Sequence, residues 1–382
     1  MIKKKGKIAG DISNAAGVQP NPRYLNVLAI LSFKKEGLLP LKSMKAWIPR
    51  DGDTFVTKEG FVFYVFGYEH PKGRVLSFLK YIPSQLKSHF PIRFLRQKWK
   101  FGNVELVRPE KLYTAQNYQK LLETFRSRFP QYIYFCPYRG KEVISVPLEH
   151  VEKLYVPKER LQRLFKKKRK DRLQKLALEL VSLLSTESKV PLEDFGIHGS
   201  IALDMHTAKS DIDLVVYGSQ NFRNLEKAID KLVEEDLLKY IFTKRLDRAR
   251  KHRGRCKDKI FVYNAVRKIC EINVQYGNCK YVPLRDVSFN CEVVDDSEAM
   301  FRPAIYQIKN YQPIDPTSKL MEDEVPTMVV SMIGYYRNVA RHGEKIKVSG
   351  TLERVENVET GEANYQVVVG TGTREDEYLW PL

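Results

Sequence analysis

FGIHGSIALDMHTAKSDIDLVVYG, from Phe195 to Gly218, is the stretch on which the rest of the chain is organised. An apolar lead-in ends at Gly199-Ser200, a spacer of ten residues follows, and Asp211-Ile212-Asp213-Leu214 then opens an apolar run. Ile212 to Tyr217 is rich in β-branched and aromatic residues, which predicts a strand ended by Gly218. Side chains alternate across a strand, so Asp211 and Asp213 leave the same face with Cβ atoms roughly 6–7 Å apart. Two carboxylates so placed repel each other and would be costly in a core. A divalent cation between them removes that cost, and oxygen-only ligands suit Mg²⁺ or Mn²⁺. Gly199-Ser200 falls where a strand gives way to a helix. Backbone N–H groups and the Ser200 hydroxyl can hold phosphate oxygens there.

This spacing resembles the signature of the DNA polymerase beta nucleotidyltransferase superfamily: hydrophobic-Gly-Ser, about ten residues, then Asp-hydrophobic-Asp-hydrophobic. Gly199, Ser200, Asp211, Asp213 and Ser210, just before the first aspartate, all match. The resemblance covers about 156–285. The chain departs from the pattern at Asp204, where many relatives carry Gly, and at Ile201-Ala202-Leu203, where minimal members carry Arg. The resemblance implies transfer of an NMP from an NTP with release of pyrophosphate, two metal ions on Asp211 and Asp213, and nucleotide contacts from Gly199, Ser200 and Ser210. It also implies a third carboxylate on a strand beside the aspartates. Glu271 fills that role in this reading, as a metal ligand and as the group that helps deprotonate the attacking hydroxyl. It lies on the polar face of ICEINVQY, Ile269 to Tyr276, whose alternation predicts a strand.

The formal net charge is +19. Lys158 to Lys175 holds ten basic and two acidic residues, and Lys244 to Lys259 holds nine and two. Charge so concentrated beside a phosphoryl-transfer motif suggests a polyanionic partner, although such runs also occur as solvated helix faces. The expected nucleic-acid contacts are Lys166, Lys167, Lys168, Arg169 and Lys170 in the first run. In the second they are Arg248, Arg250, Lys251, Arg253 and Arg255. Five cysteines without a CxxC pair indicate neither a zinc site nor a disulfide framework. A reducing, cytoplasmic setting is the expectation. No run of 18 apolar residues exists, so no membrane span is expected. The basic N-terminus has no apolar core of a secretory signal and reads as a flexible tail. P-loop and GxSxG motifs are absent.

Along the chain, Tyr24 to Phe33, Phe61 to Phe66 and Tyr132 to Phe135 read as strands, with helical periodicity around Asn117 to Phe125. Basic and aromatic residues mix between Arg93 and Phe101, where most rings read as core. Pro157 marks a helix start. Leu173, Leu176, Leu180, Val181 and Leu184 form an apolar helical stripe. Asn221 to Tyr240 reads as an amphipathic helix capped by Asn221, and the charged segment from Arg245 as a mobile loop or short helix. His198 reads as a packed residue, not a base. Period-2 alternation resumes from Asp286. Met328 to Tyr336 fits strand or helix, and Lys345 to Val355 fits a strand with a bulge at Gly350. A small closed barrel of OB type would suit this last segment.

These readings combine into an α+β chain of three parts: a β-rich region 1–155, a mixed-sheet α/β catalytic region 156–285 and a β-rich region 286–382. The expected function is metal-dependent transfer of an NMP to a nucleic-acid end, RNA or tRNA foremost. Nucleotidylation of a protein or small molecule is one alternative. A non-catalytic nucleic-acid binder built on a degenerate version of the fold is the other.

Overall fold

The computed structural model describes residues 47–111 and 114–382. The expected strand Tyr24 to Phe33 and the basic tail lie outside them. Helices combine with three sheets, so the fold class is α+β.

The first sheet has eight strands: β1 (Thr54–Thr57), β2 (Val62–Val65), β3 (Arg74–Pro83), β4 (Trp99–Phe101), β5 (Val104–Val107), β6 (Ile133–Cys136), β7 (Lys141–Pro147) and β8 (Val151–Tyr155). Every pairing in it is antiparallel. Helix α1 (Ala115–Arg128) packs Phe125 against Phe61, Phe63, Phe90 and Tyr132 in an aromatic core. Its start is capped by Thr114, which accepts from the Asn117 N–H.

The second sheet runs β11-β12-β13-β10-β9. Its strands are β9 (Phe195–Ile197), β10 (Ile212–Tyr217), β11 (Lys239–Tyr240), β12 (Arg253–Cys256) and β13 (Lys259–Val266). Only β10 and β13 pair in parallel. Ile212, Leu214 and Val216 are buried on one face of β10, beside Phe261, Tyr263 and Ala265 of β13. Helices α3 (Arg172–Ser188) and α5 (Ser219–Glu234) pack on that apolar face. The expected stripe of α3 is buried at every position, and Asp171 closes its start with a capping box. Helix α2 (Pro157–Lys166) starts on Pro157. Helix α5 begins two residues before Asn221 and ends at Glu234, short of Tyr240. Asp236, at φ 56°, turns the chain there and lets Lys239–Tyr240 join the sheet as β11.

The third sheet has six strands: β14 (Cys279–Glu298), β15 (Ala304–Pro313), β16 (Met328–Ser331), β17 (Lys345–Asn357), β18 (Ala363–Val369) and β19 (Tyr378–Pro381). The pairings run β14-β15-β16-β18-β17, with β14 also bonded to β17, β16 parallel to β18 and β19 on β17. Two expectations need correction. The boundary at 285/286 falls inside β14, because the change of pattern there is a register shift between Pro283 and Arg285 within a continuous strand. Gly350 is not a bulge. It pairs in register with Val287, and a Cβ there would lie 2.4 Å from the Val368 carbonyl, so the residue is small to permit close strand approach.

No helix among the described residues is long and apolar enough to cross a membrane.

Candidate active site

Alternation along β10 sends Ile212, Leu214 and Val216 into the core and turns Asp213 and Val215 to the other face. That face floors a cavity of about 710 Å³. All three sheets or their flanking loops line it: Lys80, Trp99 and Arg108 from the first, Gly199, Ser200, Ser210, Asp211, Asp213 and Asn264 from the second, Arg302 and Arg337 from the third.

Gly199 is required twice over. Its φ is +61°, and a Cβ would stand 1.9 Å from Asp213 Oδ2. The Asp213 carboxyl therefore lies directly against the turn where β9 enters α4 (Gly199–Ala202). The His198 N–H donates to the Asp213 carbonyl at 2.8 Å, fixing the turn to the strand. The spacer is pinned as well. His206 Nε2 lies 2.8 Å from Asp171 Oδ2, Lys259 Nζ donates to the Ala208 carbonyl at 2.7 Å, and the Thr207 N–H donates to Ser210 Oγ at 3.0 Å. Asp204 has φ 54° and an ion pair with Arg160. The left-handed conformation explains why Gly or a short polar residue suits that place.

Burial pushes the Asp213 carboxyl up to about 6. Lys80 and Arg108 oppose the rise and Asp211 adds to it. Burial also raises Asp211, against the pull of Arg253 and Lys259. Arg253 Nη2 stands 3.8 Å from Asp211 Oδ2. Asp213 is half-buried, and Arg108 Nε is buried without a partner. A pair of carboxylates, desolvated and opened to a basic cavity, has the donor chemistry for a hard divalent cation. No cluster of three or more His, Cys, Asp or Glu completes a cage among the described residues. Any such ion would take its remaining ligands from water or phosphate oxygens.

Glu271 is not brought to this pair. Ile269–Glu271 is a turn of 3₁₀-helix and Ile272 to Tyr276 is not a strand, so the expected strand Ile269 to Tyr276 is corrected. The place beside β10 belongs to β13, and of the alternating residues after it Cys270 and Val274 are exposed while Ile272 and Tyr276 are half-buried. Glu271 Oε1 accepts from the Ser219 N–H at 2.9 Å and from Ser219 Oγ at 3.0 Å, while Oε2 accepts from the Lys268 N–H at 2.8 Å. Ser219 lies beyond the far end of β10, whose last residue Tyr217 is four strand positions, roughly 13 Å, from Asp213. On the cavity face of β13 stand Val262, Asn264 and Val266. Asn264 Oδ1 accepts from Arg337 Nη2 at 2.7 Å. Behind it, buried Asp51 accepts from Arg302 Nε at 2.7 Å and has Arg337 Nη1 at 3.8 Å.

The two basic runs fare differently. Lys166, Lys167, Lys168 and Arg169 are exposed, and Lys170 is half-buried. The second run is neither wholly loop nor mobile surface: it forms α6 (Asp247–Arg250) and β12. Arg250 is corrected as a surface contact. It is buried, its Nε donates to the Arg337 carbonyl at 3.2 Å, and burial lowers its pKa to about 9. Lys251 pairs with Asp230 at 2.7 Å, Arg253 faces Asp211, and Arg248 and Arg255 are exposed. His198 is half-buried, with Thr54 Oγ1 at 3.2 Å and the Tyr64 ring against it. Burial, with Lys80 and two arginines nearby, lowers it to about 3, so it stays neutral.

Residues 173–268 match the family model for the nucleotidyltransferase domain. An uncharacterized protein of Methanocaldococcus jannaschii is 27% identical over 365 residues, covering 86% of this chain and 97% of its own. No solved structure matches the chain. The central region is thus a nucleotidyltransferase domain, consistent with the DNA polymerase beta type, and the enzyme is a transferase with an NTP as its substrate.

Proposed function

We propose that this enzyme transfers an NMP from an NTP to the end of a nucleic acid. The observation that carries the reading is the Asp211–Asp213 pair, desolvated and open to a basic cavity, with Asp213 pressed on Gly199. In the reaction the acceptor hydroxyl attacks the α-phosphorus, the bond to the bridging oxygen breaks, and pyrophosphate leaves. Asp211 and Asp213 would hold Mg²⁺ or Mn²⁺, which when bound stabilises the entering and leaving oxygens. Gly199 and Ser200 would hold the β- and γ-phosphates, with Ser210 at the rim. Lys80 and Arg108 line the same cavity and supply positive charge to it. With no carboxylate on the cavity face of β13, accepting the hydroxyl proton falls to the two aspartates themselves.

The nucleic-acid acceptor is supported by the net charge of +19 and by exposed Lys166 to Arg169 beside the catalytic region. The test is incubation with each α-labelled NTP and Mg²⁺ against single-stranded RNA, tRNA, DNA and protein. Label should appear on a nucleic-acid end together with pyrophosphate. Label on protein alone would replace the acceptor, and label on none would remove the reading.

A further inference from the structure

On the third sheet, β19 places Leu379 fully in the core, while Tyr378 and Trp380 pack at the margin of that core. Both stay partly exposed, with rings stacked at 6.0 Å and 25°. Tyr335 meets Trp380 edge-on at 6.5 Å. Buried Tyr336 also meets Trp380 edge-on at 5.6 Å, and cations stand over the rings as well. Arg245 stands 4.4 Å from the Trp380 centroid, and Lys244 lies 5.8 Å from that of Tyr335. The pattern continues along the chain, where Phe242, 39% exposed, stacks on Tyr240 at 5.6 Å with Arg248 at 5.1 Å from its ring. The Leu246 N–H reaches the Tyr335 hydroxyl at 3.4 Å, which holds the segment carrying Lys244, Arg245 and Arg248 against Tyr335. Arg337, two residues beyond Tyr335, lines the catalytic cavity.

We infer that this ridge is the track along which a single-stranded nucleic acid reaches the cavity. The inference rests on the proposed transfer to a nucleic-acid end and adds the strandedness of the acceptor and the residues that grip it. Ring-on-ring packing accounts for one side of Phe242, Tyr335 and Trp380. It does not account for exposed Lys244, Arg245 and Arg248 laid over aromatic rings on a strongly basic chain. A cation held over a ring can turn to a phosphate and leave that ring face to a base. Bases in a duplex are already stacked on one another, so only an unpaired strand can use the rings.

The test uses the full chain without NTP or divalent ion and a labelled single strand of about 12 nucleotides, within the size of known single-strand sites. A blunt duplex and polyglutamate serve as competitors. Binding of the strand should quench Trp380, neither competitor should displace it at equal charge, and Phe242→Ser and Trp380→Leu should each weaken it by about tenfold or more. Arg245→Ala should reduce the log–log salt slope by about 0.7. Phe242 is exposed, so its variant keeps the test valid if Trp380→Leu melts early. Equal displacement by duplex or polyglutamate, or unchanged affinity of Phe242→Ser, would overturn the ridge. These outcomes are separable from failure of the transfer reading. If transfer occurs with an acceptor KM that Phe242→Ser leaves unchanged, the ridge alone falls. If single-strand binding follows the pattern above but no NTP is used, the proposed reaction alone falls.

Discussion

The two ends of β10 carry carboxylates in opposite circumstances. At its start, Asp211 and Asp213 face a cavity with Arg253 no nearer than 3.8 Å, and burial lifts Asp213 to about 6. Beyond its end, Glu271 has both oxygens taken by the N–H groups of Ser219 and Lys268 and by the Ser219 hydroxyl. Ser219 opens α5, so Glu271 serves the unpaired N–H groups of that helix start. A carboxylate satisfied by backbone donors holds structure together. One desolvated beside a second carboxylate, and facing a cavity, is stable as an anion only when something else brings positive charge to it.

The largest effect that tests this contrast is Asp213→Asn. It keeps the shape and removes the charge, so kcat should fall by about 10³-fold or more while nucleic-acid binding survives. Single-turnover transfer of a labelled NTP would measure it, and activity near wild type would erase the distinction between the two ends. Gly199→Ala comes next. The added Cβ would stand 1.9 Å from Asp213 Oδ2 at a φ of +61°, so the carboxyl must move. A loss of about 10²-fold in kcat/KM is expected, of the size caused by misplacing a reacting group by about 1 Å.

The third prediction concerns pH. Asp213 must shed a proton to ligate a cation, and its carboxyl titrates near 6 in the free protein. Divalent-ion affinity should be level above pH 6 and fall by about tenfold per unit below it. Calorimetric titration with Mn²⁺ between pH 4.5 and 7.5 would follow this. A level profile down to pH 4.5 would show that the carboxyl is not desolvated. The smallest effect on chemistry belongs to Glu271→Gln. Its kcat should stay within about threefold of wild type, while thermal unfolding shows a loss of about 1–2 kcal/mol from weakened bonds to Ser219 and Lys268. A crippled kcat with unchanged stability would restore Glu271 to the catalytic group.

What the sequence disclosed follows from how local each signal is. Gly199-Ser200 and Asp211-x-Asp213 lie on one strand–turn–strand unit, so spacing alone brought them together. Lys80, Arg108, Asn264, Arg302 and Arg337 line the same cavity from positions spread over more than half the chain. They meet only through tertiary packing, and no spacing announces them. Glu271 misled because Cys270, Ile272, Val274 and Tyr276 alternate as a strand would, although β13 had already filled the place beside β10. Arg250 was counted within a charge run, but a count of charges does not reveal which way a short helix turns them. The aromatic ridge was illegible for the same reason, since Phe242, Tyr335 and Trp380 come from separate segments.

Mn²⁺ binding, read by the free-ion electron paramagnetic resonance signal in the presence of a non-hydrolysable NTP, tests the central claim most directly. Wild type, Asp213→Asn and Glu271→Gln are titrated side by side. The account predicts equal binding by wild type and Glu271→Gln, and binding weaker by about tenfold or more in Asp213→Asn, the scale of losing one charged ligand. Wild-type affinity in Asp213→Asn, or its loss in Glu271→Gln, would contradict it.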